Sequence, residues 1–418
     1  MLEQIKIGRY CCAPSTQIEN FRPLVGDDLI DELLELAKDL RDIRICHINA
    51  TPFGGGVAEL LSREIPILKA LKVQADWRII HGDQEFFSIT KSFHNAIQGQ
   101  EFNLTDDIKH IYIRHNRRSA ELLTSDYDVF IVHDPQPAAL RYFNKHKKGK
   151  WIWRCHIDSS DPNPGVWSFI KPYIESYDAV VFTLEEFVPP DLNVNLVEYI
   201  LPAIDPFSSK NMELPEDVYR SAVANSGVDM RRPLIVQVSR FDPWKDPLGV
   251  IQAYQLVKRE KPDVQLAMVG SLAGDDPEGY EILSRVNEES AKDPDIYVFT
   301  NLEGIGNMEV NAFQRSADVV IQKSIREGFG LVVSEALWKG TPVVAGNVGG
   351  IRTQIPDDMQ GFLVDSVEGC AESLLRLLND DALRKEFGEK GREKVRKDFL
   401  YPRMIRDDLR LVKRLVSS

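Results

Sequence analysis

The chain has 418 residues, of which 43% are hydrophobic and 28% are charged, a composition typical of a globular protein with full-sized cores. At roughly 100–200 residues per domain, a chain of this length is expected to form two or three domains. The formal net charge of −13 disfavours nucleic acid and anionic lipid as principal partners, because an acidic surface repels both. Any phosphate that the protein binds must therefore be held by a local cluster of positive charge.

The N-terminal residues and the cysteines bear on the cellular compartment. The stretch Met1–Tyr10 lacks the apolar core of a signal peptide, and no run of about 18 apolar residues predicts a membrane span. The cysteines are odd in number and lack the paired spacing of a zinc site, so the sequence predicts a reducing cytoplasm. They are Cys11, Cys12, Cys46, Cys155 and Cys370. Runs rich in Lys and Glu are compatible with a thermophile surface.

Short apolar runs alternate with amphipathic helical stretches along the whole chain. This alternation predicts an α/β protein built from doubly wound parallel sheets, whose strands are apolar because helices cover both faces. The predicted strands of the first half are Ile43–Ile48, Ala75–Ile80, Val129–Val132, Trp151–Cys155, Ala179–Phe182 and Val197–Ile200. Those of the second half are Leu234–Val238, Gln265–Val269, Tyr297–Phe299, Val319–Gln322, Val343–Ala345 and Phe362–Val364. Predicted helices include Val57–Leu71, Ala371–Leu378 and Tyr401–Val416.

The segment Asp205–Pro215 is rich in Pro, Ser and Asn and has little periodicity, so it predicts a linker. We therefore expect an N-terminal Rossmann-like domain over residues 1–210 and a C-terminal Rossmann-like domain over 211–395. The last residues, 396–418, are expected to cross back toward the first domain as a helix. Because ligands of such sheets bind beyond the carboxyl ends of the strands, two facing domains predict a cleft between them.

The most informative segment runs over residues 324–337, directly after the predicted strand Val319–Gln322. Its glycines permit a tight turn and leave amides uncovered at the start of a helix, which predicts a site for an anion. The residues that would form this site are Gly328, Gly330, Leu331 and Val332. Glu327 and Glu335 lie on either side of it, and each carboxylate can accept hydrogen bonds from vicinal sugar hydroxyls. The alternative is a capped helix with incidental glutamates.

Arg240 and Lys245 follow the predicted strand Leu234–Val238 across a turn that contains Pro243 and Pro247. Two cations at the carboxyl end of a strand can supply the charge that a diphosphate leaving group needs, with Arg binding bidentately and Lys acting as a mobile point charge. The alternative is surface charge near a turn.

Three consecutive glycines, Gly54, Gly55 and Gly56, separate the strand Ile43–Ile48 from a helix. No Lys-Ser/Thr follows them and the pattern is not G-x-G-x-x-G, so neither a Walker loop nor a dinucleotide site is expected. Glycines here allow a substrate to approach the backbone closely, and a plain tight turn is the alternative.

Polar residues follow several first-half strands and are candidates for an acceptor site. His133 and Asp134 come after one strand, His156 after the next, and Asp83 after Ala75–Ile80. Asp134 could accept a hydrogen bond from an acceptor hydroxyl or weakly deprotonate it. Either histidine alone is as readily explained as a structural residue. Acidic pairs such as Asp275-Asp276 lie in predicted loops without converging ligands, so we predict no metal site.

Together these segments resemble glycosyltransferase family 4, a retaining family with the GT-B fold of two facing Rossmann-like domains. The resemblance implies that the N-terminal domain binds the acceptor and the C-terminal domain binds the nucleotide-sugar donor. It also implies that Arg240 and Lys245 hold the donor diphosphate. It also implies that Glu327 contacts the donor sugar and Glu335 the nucleotide ribose. A main-chain carbonyl at His156 would lie near the anomeric carbon.

Four segments are similar to the trehalose glycosyltransferring synthases of that family, namely HINATPFGGGVAELL, HDPQP, RCHIDSSDP and SRFDPWKDP. This similarity implies a retaining glucosyltransferase that forms trehalose reversibly from NDP-glucose, either ADP- or UDP-glucose, and free glucose. The same segments are similar to retaining trehalose phosphorylases, so an enzyme using α-glucose 1-phosphate is the alternative. No metal is expected for the chemistry, although Mg2+ can accompany the nucleotide. A homodimer is expected as the commonest oligomer. A non-catalytic sensor is disfavoured, because the charged residues expected of the enzyme are all present, namely Glu327, Glu335, Arg240 and Lys245.

Overall fold

The computed structural model describes residues 2–6, 17–52, 55–123, 126–145, 148–272 and 277–417. Cys11, Cys12 and the pair Asp275-Asp276 lie outside the described residues. The chain folds into two compact units, the first formed by Met1–Ala203 with Tyr401–Ser418 and the second by Ile204–Leu400.

The first unit is built on a sheet that has seven strands in the described residues, in the order β1-β3-β2-β4-β5-β6-β7. All of its pairings are parallel except that of β1 with β3. The strands are β1 Glu3–Gln4, β2 Arg44–Asn49, β3 Gln74–Ile79, β4 Val129–His133, β5 Lys150–Arg154, β6 Ala179–Phe182 and β7 Val197–Tyr199. The helices are α1 Arg22–Val25, α2 Asp27–Asp39, α3 Gly56–Ala70, α4 Gln84–Ile97, α5 Asp106–Leu122, α6 Leu140–Phe143, α7 Pro164–Ile174 and, from the end of the chain, α16 Tyr401–Val416.

The second unit has a wholly parallel sheet of six strands in the described residues, in the order β10-β9-β8-β11-β12-β13. The strands are β8 Leu234–Arg240, β9 Gln265–Ser271, β10 Ile296–Thr300, β11 Val319–Gln322, β12 Val343–Gly346 and β13 Leu363–Val364. The helices are α8 Glu216–Asn225, α9 Pro247–Glu260, α10 Pro277–Ser290, α11 Asn307–Ser316, α12 Leu331–Trp338, α13 Ile351–Gln354, α14 Val367–Asn379 and α15 Asp381–Asp398.

The predicted class, an α/β protein with two doubly wound parallel sheets, is confirmed. Every predicted strand is present, with its ends shifted by about two residues at most. Apolar runs locate these strands well because helices bury both faces of the sheets, as in β4, all of whose residues are buried. The edge strand β1 was not predicted, since it is only two residues long and exposed. Within the described residues, no helix is long and apolar enough to cross a membrane.

The segment Asp205–Pro215, predicted as a linker, is folded into the second unit. The main-chain oxygen of Asp205 accepts hydrogen bonds from Ser208 and Asn211 at 2.9 and 3.1 Å. Asn311 of α11 donates to the main-chain oxygens of Ser209 and Met212. Polar side chains here satisfy an irregular backbone, so a composition typical of linkers marks a packed loop instead.

The C-terminal helix α16 is part of the first unit. Its apolar face packs against α2, and its Asp408 accepts hydrogen bonds from Nη1 of Arg154 in β5 at both carboxylate oxygens, each at 2.9 Å. The two side chains are 3% and 8% exposed, so this pair is shielded from water. The buried pair anchors the end of the chain to the sheet that carries the candidate acceptor residues.

Candidate active site

Candidate residues of the second unit lie where β8 and β11 end, at the carboxyl edge of the sheet. After β8, Asp242 begins a short helical turn by accepting the amide of Trp244 at 2.9 Å. The side chain of Gln237 donates to the main-chain oxygen of Lys245 at 3.1 Å. The loop after β11 is joined to this turn, because the amide of Ile325 donates to the oxygen of Trp244 at 2.9 Å. Lys245 is therefore held by main-chain contacts at the edge of the sheet.

Lys245 and Glu327, distant in sequence, form an ion pair in which the Lys245 ammonium donates to Oε2 of Glu327. The two side chains are only 18% and 11% exposed. The hydroxyl of Ser324 donates to the same carboxylate oxygen at 3.3 Å. We call Lys245, Glu327 and Ser324 the charge cluster. A nearly buried carboxylate and ammonium at a strand edge can bind hydroxyl and phosphate groups with little competition from water.

Arg240, the last residue of β8, is the more exposed of the two predicted cations. Its side chain is 37% exposed, and Nη2 lies 3.3 Å from the carboxylate of Asp242. This long contact uses one nitrogen, so the guanidinium retains donors for an anionic ligand. The structure thus brings Lys245 and Glu327 into contact and places Arg240 on the same loop.

Sequence reasoning missed a second ion pair beside the charge cluster, between Asp246 and Lys323. Asp246 adopts a left-handed backbone with φ of 47°, and its carboxylate also caps α9 by accepting the amide of Gly249 at 3.1 Å. Lys323 is 7% exposed. The sequence did indicate this ion pair, because Lys323 directly follows an apolar strand, and a charged side chain is buried there only if it is paired.

The helix α12 begins beside Glu327, as predicted from the glycines. Gly330 precedes the helix with φ of +81° and provides no side-chain cap. The first two helical residues are Leu331 and Val332. A Cβ on Gly330 would lie 3.1 Å from Cγ of Glu327. Gly328 lies in the same loop. Its carbonyl oxygen is so close to Gly350 that a Cβ added to Gly350 would lie 2.6 Å from it. The N-terminus of α12 therefore lies close to the predicted sugar-binding carboxylate, where it favours negative charge.

Gly346 provides a test of this packing. A Cβ at this position would lie 2.0 Å from the main-chain oxygen of Ser324, so Gly346→Ala must displace the loop that carries Glu327. We expect a loss of kcat/KM of roughly 10–100-fold, the scale of a misplacement of about 1 Å. The matched control is Gly361→Ala, because the nearest atom of the described residues to a Cβ there is Nη1 of Arg376 at 4.0 Å. Equal activity of the two variants would contradict the assigned role of the loop.

Glu335 lies inside α12 and is 1% exposed. Its Oε1 is 3.2 Å from the ammonium of Lys210, whereas Oε2 has no hydrogen-bond partner within the described residues. Lys339 donates to the main-chain oxygen of Glu335 at 3.0 Å, and burial lowers the pKa of Lys339 to about 7. A buried carboxylate oxygen without a partner can accept a hydrogen bond from a ligand hydroxyl. Lys210 was missed because it lies in the segment predicted as a linker.

In the first unit, Asp134 directly follows β4 and has a left-handed backbone with φ of 63°. Its carboxylate accepts the amide of His156 at 2.9 Å, and its main-chain oxygen accepts the indole N–H of Trp153 at 2.9 Å. Burial raises the pKa of Asp134 to about 7, against the opposing effect of the His156 amide. A carboxyl group with a pKa near neutrality is suited to exchange protons with a hydroxyl.

The raised pKa of Asp134 predicts a pH-dependent stability. The pKa of an Asp in the unfolded chain is about 3.9, so the folded wild type binds this proton more tightly than the unfolded chain does. The wild type therefore loses up to about 4 kcal/mol of stability as the pH rises from about 4 to about 7. Asp134→Asn keeps the acceptor oxygen and cannot ionise. We expect the unfolding free energy of Asp134→Asn minus that of the wild type to be larger at pH 8 than at pH 5. Urea denaturation at the two pH values measures this difference.

Asp83 provides the control for this measurement. Its carboxylate caps α4 by accepting the amide of Phe86 at 2.9 Å, which lowers its pKa. Because its pKa is lowered rather than raised, Asp83 stays ionised from pH 5 to pH 8, and Asp83→Asn should show no trend over that range. The same trend in both variants would contradict the assignment to Asp134. The Asp83 side chain is 55% exposed and lies 3.3 Å from Nε2 of His115.

Three histidines carried by the neighbouring strands β2, β4 and β5 lie in one row, which we call the histidine chain. They are His47 within β2, His133 at the end of β4 and His156 two residues after β5. Nδ1 of His47 lies 3.1 Å from Nε2 of His133, and Nδ1 of His133 lies 2.9 Å from Nε2 of His156. His133 thus uses both ring nitrogens on its neighbours and has none left to contact an acceptor directly. His47 was missed, although a polar residue within an apolar strand was a visible signal.

Gly55 and Gly56, predicted to bind the donor, begin α3 of the first unit. No atom of the described residues lies within 4 Å of a Cβ placed on either of them. Gly54 lies outside the described residues. In the part of the chain that is described, no group of three or more His, Cys, Asp or Glu side chains is placed to hold a metal ion.

Two protein families match the chain. Residues 47–189 match the N-terminal domain of trehalose synthases, and residues 220–394 match the glycosyl transferases of group 1. The first range contains the histidine chain and Asp134. The second contains Arg240, the charge cluster and Glu335.

Related proteins cover the whole chain. A trehalose synthase of Rubrobacter xylanophilus is 48% identical over 100% of both chains. A trehalose phosphorylase of Pleurotus pulmonarius is 28% identical over 90% of this chain and 58% of its own. Among solved structures, an α,α-trehalose 6-phosphate synthase of Burkholderia multivorans covers 90% of this chain and 99% of its own, with a TM-score of 0.68 and 17% identity. This likeness confirms the predicted GT-B fold.

Proposed function

The chain belongs to the trehalose synthase family of group 1 glycosyltransferases, and we propose on that basis that it forms trehalose reversibly from NDP-glucose and free glucose with retention of configuration. Its membership makes it a hexosyltransferase, as predicted. The observation that carries the proposal is the charge cluster, in which a nearly buried Lys245 and Glu327 meet beside the N-terminus of α12.

The donor diphosphate would bind Lys245 and Arg240, with the amides near Gly330 adding partial positive charge. A diphosphate at Lys245 would take over the hydrogen bond that the ammonium now gives to Glu327. The carboxylate would then accept from hydroxyls of the donor sugar. Glu335, with one buried oxygen that has no partner in the described residues, would accept from a ribose hydroxyl.

Retention would follow from attack on the face that the diphosphate leaves. The acceptor hydroxyl oxygen bonds to the anomeric carbon, the bond from that carbon to the phosphate oxygen breaks, and the departing phosphate oxygen takes the hydroxyl proton. The protein contributes orientation and stabilisation of the growing negative charge, supplied by Arg240 and Lys245.

The first-unit candidates favour a neutral acceptor. Asp134 offers a carboxyl group, and burial lowers the pKa of His156 well below its usual range, so the imidazole is uncharged at neutral pH. Neither residue supplies the positive charge that a phosphorylated acceptor would need. This observation supports free glucose rather than a sugar phosphate.

The test is synthesis from ADP-glucose or UDP-glucose with either glucose or glucose 6-phosphate as acceptor. We expect an α,α-linked disaccharide with glucose, identified by its symmetric NMR spectrum, and at least 10-fold less product with the phosphate. Preferred use of glucose 6-phosphate would overturn the assignment of the acceptor.

A phosphorylase that uses α-glucose 1-phosphate is the second candidate, supported by the 28% identity to the Pleurotus enzyme. Arg240 and Lys245 would serve an inorganic phosphate as well as a diphosphate. The two candidates differ in the proposed role of Glu335, because a ribose reaches its carboxylate only if the donor carries a nucleotide.

A further inference from the structure

The histidine chain continues beyond its three rings to a buried carboxyl group on α3. Nε2 of His47 lies 3.9 Å from Oε1 of Glu64, and both side chains are at most 2% exposed. Within the described residues Nε2 of His47 has no hydrogen-bond partner. This distance of 3.9 Å is too long for a hydrogen bond, so the proposed contact requires the Glu64 side chain to turn toward His47.

The order of the nitrogens is the same at each contact. His156 uses Nε2 toward His133, and His133 uses Nε2 toward His47. His47 in turn has Nε2 toward Glu64. Burial lowers the pKa of all three rings, that of His47 to about 3, so each is neutral and carries one N–H. Two hydrogen bonds among three neutral rings can form only if all rings carry the proton on the same kind of nitrogen.

We propose that Glu64 sets the direction of this hydrogen-bonded chain, and thereby decides whether Nδ1 of His156 accepts or donates a hydrogen bond to a sugar hydroxyl. This inference rests on the proposed function only for the identity of that hydroxyl. Glu64 and the two inner rings are positioning residues, because they act through His156.

With Glu64 ionised, each ring donates from Nε2 toward the carboxylate, and Nδ1 of His156 is left with a lone pair. With Glu64 protonated, its hydroxyl donates to Nε2 of His47, each ring donates from Nδ1, and His156 ends in an N–H. The two states differ by one proton: it enters at Nδ1 of His156, and each ring passes its Nε2 proton along until the last reaches Glu64.

Glu64 is suited to switch because burial raises its pKa, assisted by the charge of Asp408 and opposed by Arg154. Burial raises the pKa of Asp408 as well, but Nη1 of Arg154 donates to both of its carboxylate oxygens and favours its charged form. We therefore assign the proton to Glu64, which is the carboxyl group that faces the histidine chain. Among the described residues, the other titratable or charged groups that act on the histidine chain, on Glu64 or on the pair of Arg154 with Asp408 are Asp134, Arg154, Asp408, Tyr401, Arg403 and Asp407.

The test is NMR of the full chain labelled with 15N-histidine, without substrate, at pH 6 and pH 9.5. Two-bond 1H–15N correlations show which nitrogen of each ring carries the proton. We expect all three rings to be Nδ1–H at pH 6 and Nε2–H at pH 9.5, exchanging over one shared transition. Rings that titrate separately, or that keep one tautomer at both pH values, would overturn the proposal.

Three variants assign the switch to Glu64. Glu64→Gln should abolish the transition, and His133→Phe should leave it at His47 while removing it from His156. Asp134→Asn is the matched control, since Asp134 also titrates in this range, and it should leave the shared transition in place. If His133→Phe fails to fold, Glu64→Gln still decides, because it leaves the rings untouched. A transition that persists in Glu64→Gln would refute the proposal.

The NMR measurement reports the tautomers of the histidine chain whether or not the protein makes trehalose. A correct tautomer switch in a protein that fails to join NDP-glucose and glucose would reject the proposed function alone. An active enzyme whose rings titrate independently would reject the further inference alone.

Discussion

Replacing Lys245 with alanine is expected to lower kcat/KM for the NDP-glucose donor by roughly 10–150-fold. The variant loses a charge-assisted hydrogen bond to the diphosphate, which contributes about 1.5–3 kcal/mol. Because the leaving group gains negative charge as its bond breaks, the loss should fall on kcat as well as on KM. Arg240→Ala should lose a similar amount, since its guanidinium retains donors for the same group.

The matched control for both variants is Lys292→Ala, which removes an exposed lysine of the same unit whose side chain is 64% exposed. It should retain wild-type kinetics. Glu327→Gln extends the test, because it keeps the shape of the side chain but loses the charge that pairs with Lys245. Turnover within about twofold of the wild type in Lys245→Ala and Arg240→Ala, far short of the estimated loss, would show that the diphosphate binds elsewhere.

Asp408→Ala is expected to cause the largest loss of stability, about 3–5 kcal/mol, because it leaves the buried guanidinium of Arg154 without its partner. At about 2–4 °C per kcal/mol for a unit of this size, the unfolding transition of the first unit should move down by roughly 6–20 °C. Calorimetry measures this shift. The Arg154 side chain is 3% exposed, so water cannot replace the lost carboxylate.

The control is on the same helix. Lys413 of α16 pairs with Asp39 of α2 at 2.6 Å, but the two side chains are 46% and 51% exposed. An exposed pair of this kind contributes at most about 1 kcal/mol, so Lys413→Ala should shift the transition by a few degrees at most. Similar shifts in Asp408→Ala and Lys413→Ala would show that the end of the chain is not anchored by the buried pair.

The strands could be predicted from the sequence because both sheets are buried on both faces, which leaves continuous apolar runs such as Val319–Gln322. Residues at strand ends, among them Arg240, Glu327 and Asp134, were predicted for the same reason, since parallel strands bring their carboxyl ends to one edge. The residue roles assigned to them stay predictions.

Partners distant along the chain could not be predicted. Lys210 and Glu335 meet through a loop whose polar composition is the same in a packed segment and in a linker. The pairing of Arg154 with Asp408 depends on where α16 packs, which a helical pattern alone leaves open. His47 is buried in an apolar strand, and only the neighbouring rings of His133 and His156 show that it belongs to a hydrogen-bonded chain.

The central claim is that a nucleotide diphosphate is the leaving group, and it is tested most directly in the reverse direction. Trehalose is incubated with the enzyme and ADP, UDP or inorganic phosphate, and the products are separated by anion-exchange chromatography. The account predicts NDP-glucose with a nucleotide and no sugar phosphate with phosphate alone. Glucose 1-phosphate formed from trehalose and phosphate, with no reaction of either nucleotide, would contradict it and establish the phosphorylase.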